Sequence, residues 1–264
     1  MWTPSTVSKP RFFVVVGARI LLRSPGLTSL VVVALALGIG ANSAMFSVVD
    51  ALLLHPLSYD RPDELLVGLN NRDPRWHDVW LVNVLTGESK LVLKNEGFAA
   101  TLADNSLAIR LAIKSQPDGG QEYLRLDGTE WKPFVTIPGD DALTTEPLFF
   151  TSDGKAFYMI DSRGRDKSAL VKIDVATRKS TVVGTAEKAD VSYVIKNPRT
   201  HEILAYASEY DRMEWTALNA EIKPDIAFLE KQVTGYWAVL SQSEDGNLWT
   251  LWIDNPGEPI KFGL

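Results

Sequence analysis

Cysteine is absent from the 264 residues, which excludes disulfides, thiolate metal sites and a cysteine nucleophile. That absence fits either side of a bacterial inner membrane. Histidine is scarce: only His55, His77 and His201 occur. A serine hydrolase needs its nucleophile on a strained G-x-S-x-G turn, and no such motif is present. With no nucleophile motif nearby, the histidines read as solvated residues: His55 beside a membrane, His77 in the loop RDPRWHD, His201 in a hairpin turn. Asp60, Asp63 and Glu64, like Asp140 and Asp141, lack the ligand alternation of a calcium loop or the paired histidines of a zinc site. The only phosphate-loop-like stretch, GIGAN, lies inside an apolar run and follows no strand. No catalytic, cofactor-binding or metal-ligating residue is therefore expected.

Positive charge is also in short supply. Lys and Arg number 27 against 33 Asp and Glu, a net charge of −6. Residues 1–64 hold five basic and four acidic side chains (+1), so the remaining 200 carry −7. An acidic region without a basic stripe repels phosphates, so no nucleic-acid partner is expected.

What is present divides the chain in two. Leu27–Val49 is 23 residues without a charge, LTSLVVVALALGIGANSAMFSVV. At about 1.5 Å per residue it can cross a hydrocarbon core of about 30 Å. Lys9, Arg11, Arg19 and Arg23 precede it and no basic residue follows until Arg61. The positive-inside rule then places the N-terminus in the cytoplasm and everything after Asp50 outside. Residues 1–26 read as a cytoplasmic amphipathic segment, 27–49 as a single transmembrane helix and 50–66 as a linker. A cleavable signal peptide, cut near Ala41-Asn42-Ser43, is the competing reading.

The stretch SPG followed by LALGIGANSAMFSVVDALLLHPLSYDRPDEL resembles the opening of bacterial ABC-transporter permeases of the macrolide-exporter type. The likeness covers residues 10–67. It implies a first transmembrane helix leading into a periplasmic domain. No later run is apolar enough to be another span, so one helix makes no transport path. A truncated permease-like protein is kept as an alternative.

From residue 67 the pattern becomes short alternating strands broken by turn residues, with no helical period until Pro224. VWLVNVLTGESKLVL (79–93) and ALVKIDVATRKSTVV (169–183) share one strand–turn–strand pattern, with Asn83 and Asp174, and Thr86 and Thr177, each 91 residues apart. EYLRLDGTEWKPFVTI lies midway, with Asp127-Gly128 at its turn. A second turn series runs through Asp104-Asn105, Asp153-Gly154, Arg199-Thr200-His201 and Asp245-Gly246, at intervals of 46 to 49 residues. Such pairs supply the positive φ of tight hairpins. Two hairpins per interval make a four-stranded unit, the size of a propeller blade. The fullest example predicts strands near 147–151, 155–161, 168–174 and 180–184, and Pro224–Gln232 predicts a helix with Pro in its first turn. The expected fold is mainly β: a partial β-propeller of about four four-stranded blades over 67–264, after one transmembrane helix. A β-sandwich is the alternative. The eight Trp are expected as core and blade-packing residues.

VGLNNRDPRWHDVWLVNVLTGE, LTTEPLFFTSDGKAFYMIDSRGRDKSALVKIDVAT and EYDRMEWTALNAEIKPDIAFLEK resemble the propeller of the prolyl oligopeptidase and acylaminoacyl-peptidase family. In that family the propeller caps an α/β-hydrolase domain and filters substrates by size. The resemblance implies the C-terminal half of such a propeller, without the hydrolase.

The candidate binding residues are Arg72, Arg75, Trp76 and His77 in one loop and Arg163 and Arg165 in another, side chains of the kinds that dominate interfaces. The competing role for their Arg–Asp pairs is to tie neighbouring blades together. The functional expectation is a non-catalytic, membrane-anchored binding module at the periplasmic face of a bacterial inner membrane. Its expected partners are a peptide or protein, a second copy completing the ring, or a separate hydrolase chain.

Overall fold

A computed structural model describes residues 61–264 and, before them, positions 26, 28–30, 32–37 and 39. The chain divides into two compact units, Met1–Leu57 and Ser58–Leu264. In the first, the described positions are helical, with Leu30, Val32, Val33, Leu35, Leu37 and Ile39 exposed. Among the described residues no helix is long and apolar enough to cross a membrane. The segment before residue 26, the rest of the expected span, and the expected linker up to Asp60 with His55 lie outside the described residues.

The second unit is a succession of antiparallel meanders. The first sheet holds β1 (Glu64–Asp73), β2 (Trp76–Asn83) and β3 (Ser89–Leu93); the second holds β4 (Ala100–Ala103), β5 (Ile109–Ser115), β6 (Gln121–Asp127) and β7 (Glu130–Ile137). The third holds β8 (Glu146–Phe150), β9 (Ala156–Asp161), β10 (Ala169–Asp174) and β11 (Ser180–Gly184). The fourth holds β12 (Val191–Lys196), β13 (Ile203–Glu209) and β14 (Met213–Ala217), and the fifth β15 (Tyr236–Gln242), β16 (Trp249–Asp254) and β17 (Lys261–Gly263). A helix, α1 (Lys223–Gln232), separates the last two sheets.

Four four-stranded units were expected; the described residues hold five sheets, of which only the second and third have four strands. By turn equivalence, β1–β3 correspond to β9–β11, so the first sheet has no strand matching β8 among the described residues. In the fourth sheet, α1 follows the third strand where the third sheet places its fourth. The third sheet matches its predicted strands to within a residue or so, and α1 begins one residue before the predicted helix.

The turn chemistry behind the repeat is explicit. The side-chain oxygens of Asn83, Asp174 and Asn197 each accept two backbone N–H groups, from Leu85 and Thr86, Ala176 and Thr177, and Arg199 and Thr200, at 2.7–3.0 Å. The next residue, Gly87, Arg178 or His201, takes a φ of 74°, 62° or 56° and donates its N–H back to the first residue's carbonyl. These are Asx turns, with the side chain standing in for a backbone acceptor.

The third and fourth sheets each bury two apolar faces, because successive side chains on a strand point opposite ways. On β9, Phe157 and Met159 pack with Leu111, Ile113, Tyr123 and Phe134 of the second sheet. Tyr158 and Ile160 point the other way and pack with Val191, Ile203 and Tyr206 of the fourth. The fourth sheet's Ala205, Ala207 and Trp215 meet Trp237 and Leu251 of the fifth, with Ile222 and Ile226 at the start of α1 closing the cluster. Fully burying one such large apolar side chain is worth about 1.5–3 kcal/mol relative to exposure. Of the seven described Trp, only Trp215 and Trp237 are buried; they stack at 4.9 Å, and the rest are half-buried.

Polar ties repeat across these joints. Asn105 Nδ2 donates to Thr151 O at 3.1 Å, and Gln242 Nε2 donates to Lys196 O at 3.0 Å, each pair 46 residues apart. Arg125 reaches Val175 O at 2.8 Å and Arg178 reaches Pro133 O at 3.3 Å.

Candidate functional site

The two expected arginine loops occupy equivalent ends of the first and third sheets, opposite the Asx turns of β2–β3 and β10–β11. In the first, β1 and β2 form a tight hairpin whose tip is Asp73–Trp76. Arg72 Nε and Nη2 donate to Asp78 Oδ2 and Oδ1, both at 2.7 Å, and Nη2 also reaches Asn95 O at 2.6 Å. Asp78 is 2% exposed. Its Oδ1 also accepts the N–H of Asn95, whose side chain donates to His77 O and Phe98 O and accepts the N–H groups of Gly97 and Phe98. Hydrogen bonds from Arg72 hold the Asp78 carboxyl below the usual range, against the opposing effect of burial. This network fastens the hairpin to the connector that leads into the second sheet.

Arg75 is exposed at the tip and pairs bidentately with Asp73, at 3.1 and 2.8 Å. That contact draws the Asp73 pKa down to about 2. His77, expected in a loop, lies in β2. The strand continues through the expected loop because the hairpin turns as early as Asp73–Trp76. With Leu66, Val79 and Thr101, His77 lines a cavity of about 300 Å³ between the first and second sheets. Trp76, paired across from Asp73, is half-buried.

In the second loop, Arg163 Nε and Nη2 donate to Asp161 Oδ1 and Oδ2 at 2.8 and 2.9 Å, and Nη1 reaches Thr136 O of the second sheet at 3.5 Å. Burial raises the Asp161 carboxyl, but the bonds from Arg163 outweigh it and the net shift is downward. Beneath lies Ser162, 6% exposed. Its Oγ donates to Asp141 Oδ1 at 2.7 Å and shares hydrogen bonds with Thr144 and Thr145. Arg163 is fixed by these contacts. Arg165 alone projects outward, tied through its backbone N–H to Ser162 O at 2.9 Å.

The structure therefore separates the six candidates. Arg72 and Arg163 are locked in ion pairs that fasten loops to neighbouring elements, whereas Arg75 and Arg165 present guanidinium groups to solvent. The sequence reading offered Arg–Asp ties in general, with Asp78 inside the quoted loop, but missed Asn95 and Asp161 among the groups that hold the arginines. The Asn95-Glu96-Gly97 turn signal was the one local clue to Asn95.

His201 sits in its Asx turn, as expected, beside a cleft of about 490 Å³ between the third and fourth sheets, with Thr151, Ser152, Tyr158, Lys172 and Lys179. Burial and then the charge of Lys196 push its pKa down, with the Pro198 carbonyl opposing. No hydrogen bond among the described residues joins His201 to Thr151 or Ser152, so a base is not assembled against a nucleophile. Among the described residues no group of three or more His, Asp or Glu is placed to hold a metal ion.

No family model matches the chain. Among curated proteins it is 37% identical over 208 residues to dipeptidyl aminopeptidase BIII of Pseudoxanthomonas mexicana, covering 78% of this chain and 30% of that protein. It is 28% identical over 213 residues to dipeptidyl peptidase family member 6 of Caenorhabditis elegans, covering 76% and 29%. Among solved structures it aligns with TolB from Acinetobacter baumannii at a TM-score of 0.49 and 15% identity, covering 74% of this chain and 47% of that one. Neither curated relative is named as a transporter, and the permease likeness over residues 10–67 has no support from either. The chain is thus similar to dipeptidyl peptidases over more than three quarters of its length, and it spans about 30% of the length of those relatives.

Proposed function

We propose that residues 61–264 are consecutive blades of a β-propeller, and that they serve as the non-catalytic binding part of a dipeptidyl-peptidase-like assembly. The observation that carries this is the 37% identity to dipeptidyl aminopeptidase BIII across 208 residues. The blade reading is supported by the regular meanders, the contact of β4 with β8, and side-chain ties spaced 46 residues apart. In this reading the propeller stands beside a catalytic domain, on this chain's continuation or on another chain, and limits which peptides reach it. Arg165, exposed at one sheet end, offers its guanidinium group to carboxylates of a peptide or of the catalytic partner, and Arg75, exposed at the equivalent end, would have to exchange its pair with Asp73 to do the same. The uncharged run Leu27–Val49 would hold the propeller at the outer face of an inner membrane.

The test has two arms. The chain alone should neither react with a fluorophosphonate probe nor release dipeptides from peptide substrates; labelling would overturn the non-catalytic reading. Residues 61–264, exchanged for the matching region of dipeptidyl aminopeptidase BIII, should give a folded chimera that still releases dipeptides. A folded chimera with no such activity would overturn the assignment to a peptidase assembly. Carbonate-washed membranes should retain the full chain, and its release would remove the anchor from the proposal.

A further inference from the structure

The joint between the second and third sheets is closed at its Asx-turn end by two arginines around Phe134. Arg125 of β6 donates to Val175 O at 2.8 Å and lies 5.9 Å from the centre of the Phe134 ring. Arg178, from the β10–β11 turn, reaches back to Pro133 O and lies 5.5 Å from the same ring centre. One sheet on, Lys172 is the counterpart of Arg125. Each stands two residues before the aspartate that ends its strand, Asp127 or Asp174. Each shares a face with a residue packed on the following sheet, Tyr123 or Leu170. Yet Lys172 makes no side-chain hydrogen bond or ion pair with any described residue. Nothing takes the part of Arg178 either. The chain runs from β14 into α1, and among the described residues no side chain of that connection bonds to the third sheet.

This unclosed end is the cleft of about 490 Å³ beside His201. One wall is the cross-strand row Tyr158–Lys172–Thr181. Lys155 and Lys179 enter from the flanking turns, and the Lys179 side chain has no partner among the described residues. Three carboxyl groups also line the cleft, but two are spent on their own turns. Asp153 accepts the Thr151 hydroxyl and the Lys155 N–H, and Asp174 accepts the N–H groups of Ala176 and Thr177 and the Thr177 hydroxyl. Only Glu202, from the fourth sheet, is uncommitted. No arginine is among the lining residues. Separate ammonium groups and hydroxyls act as point donors that suit a multiply charged tetrahedral oxyanion, whereas planar carboxylates are better matched by a guanidinium fork. The volume is that of a small-molecule site and leaves room beside one phosphate group for an organic remainder against Tyr158.

We infer that this cleft binds the phosphate group of a small phosphomonoester, held by Lys172 and Lys179 with Lys155 at the rim. The acidic balance of the domain, which disfavours a long phosphate backbone, is screened beyond about 10 Å at 0.1 M salt, whereas the ammonium groups act at contact. The site goes beyond the peptidase reading and does not depend on it.

Isothermal titration calorimetry on the full chain in nonionic detergent, with inorganic phosphate and phenyl phosphate as probes, tests the site. Both should bind saturably at one per chain, phenyl phosphate the more tightly. Lys172→Gln and Lys179→Gln should each weaken both about tenfold. Glu202→Gln should tighten both, and Lys90→Gln on β3 should change neither. All four positions are exposed, and unfolding midpoints check that each variant is folded. No saturable binding by the wild type, unchanged affinity in both cleft-lysine variants, or no tightening in Glu202→Gln would each overturn the inference. A loss as large in Lys90→Gln would reduce the binding to non-specific attraction and overturn it too. Phenylacetate binding as tightly as phenyl phosphate would overturn the assignment to phosphate.

Discussion

Gly184 closes β11 at the joint between the third and fourth sheets, and adding one methyl group there should measure how tightly that joint is packed. A Cβ on Gly184 would lie 2.4 Å from Tyr206 Cε1, 2.7 Å from Cδ1 and 2.8 Å from Cζ. Tyr206 is 8% exposed, and its hydroxyl donates to Thr185 O at 3.0 Å. The ring therefore has to move, straining its packing and losing that bond. Overpacking of this kind costs about 1–3 kcal/mol, and the lost hydrogen bond about 0.5–1.5 kcal/mol, part of it already in the first figure. Gly184→Ala should accordingly lower the unfolding midpoint by about 2–4 °C for each kcal/mol lost. Tyr206→Leu vacates the space the new methyl needs. In that background the same Gly184→Ala change should be nearly neutral, or stabilising by about 0.4–1 kcal/mol through reduced freedom of the unfolded chain. Urea unfolding of the four proteins gives the coupling energy directly. Equal cost of Gly184→Ala in both backgrounds would refute the close approach of β11 to β13.

Further predictions follow from particular residues. Asp161→Asn should destabilise the domain at neutral pH by about 1–3 kcal/mol, discounted for the partial exposure of Arg163. Because the folded pKa of Asp161 is depressed, its contribution is complete above the unfolded value of about 3.9 and fades as pH falls through the folded one. Urea midpoints measured from neutral to acid pH should therefore converge for wild type and variant, and parallel curves would contradict the ion pair. His201 is held neutral by burial, so wild-type stability should decline as pH falls below about 6.5. His201→Gln should flatten that slope, and an unchanged slope would remove His201 as its cause. Trp215→Phe should abolish the coupled-indole signal in circular dichroism expected from rings 4.9 Å apart; persistence of the signal would contradict the stack.

Much of this architecture was legible where it depends on local chemistry. The Asx turns at Asn83, Asp174 and Asn197 need only a side-chain oxygen, two following N–H groups and a residue tolerating positive φ, all within six residues. The strands of the third sheet and the helix at Pro224 could be read for the same reason. The number of sheets was not legible, because dividing length by a repeat assumes four strands each, and three of the five sheets have three. The roles of Arg72 and Arg163 were obscured by distance in sequence. The group that fixes Arg72 from the far side is the carbonyl of Asn95, 23 residues on, and Arg163 reaches Thr136, 27 residues back. His77 looked like a loop residue only because its neighbours Arg72–Trp76 are polar and Pro-containing, while the β1–β2 hairpin turns so tightly that it falls inside a strand. Exposure, which separates Arg75 and Arg165 from their locked counterparts, is a property of packing and has no local signature.

The stacking of sheets in chain order is the claim on which the functional reading depends, and the absence of cysteine makes it directly measurable. Cysteine pairs placed at Asn105 and Thr151, and at Lys196 and Gln242, can be challenged with a short bis-maleimide in otherwise cysteine-free chains. Both pairs bracket side chain-to-backbone hydrogen bonds across a joint, so both should cross-link rapidly within one chain. A control pair at Asn105 and Lys196, separated by the whole third sheet, should not. Efficient cross-linking of the control, or failure of both bracketing pairs in folded protein, would contradict the blade arrangement.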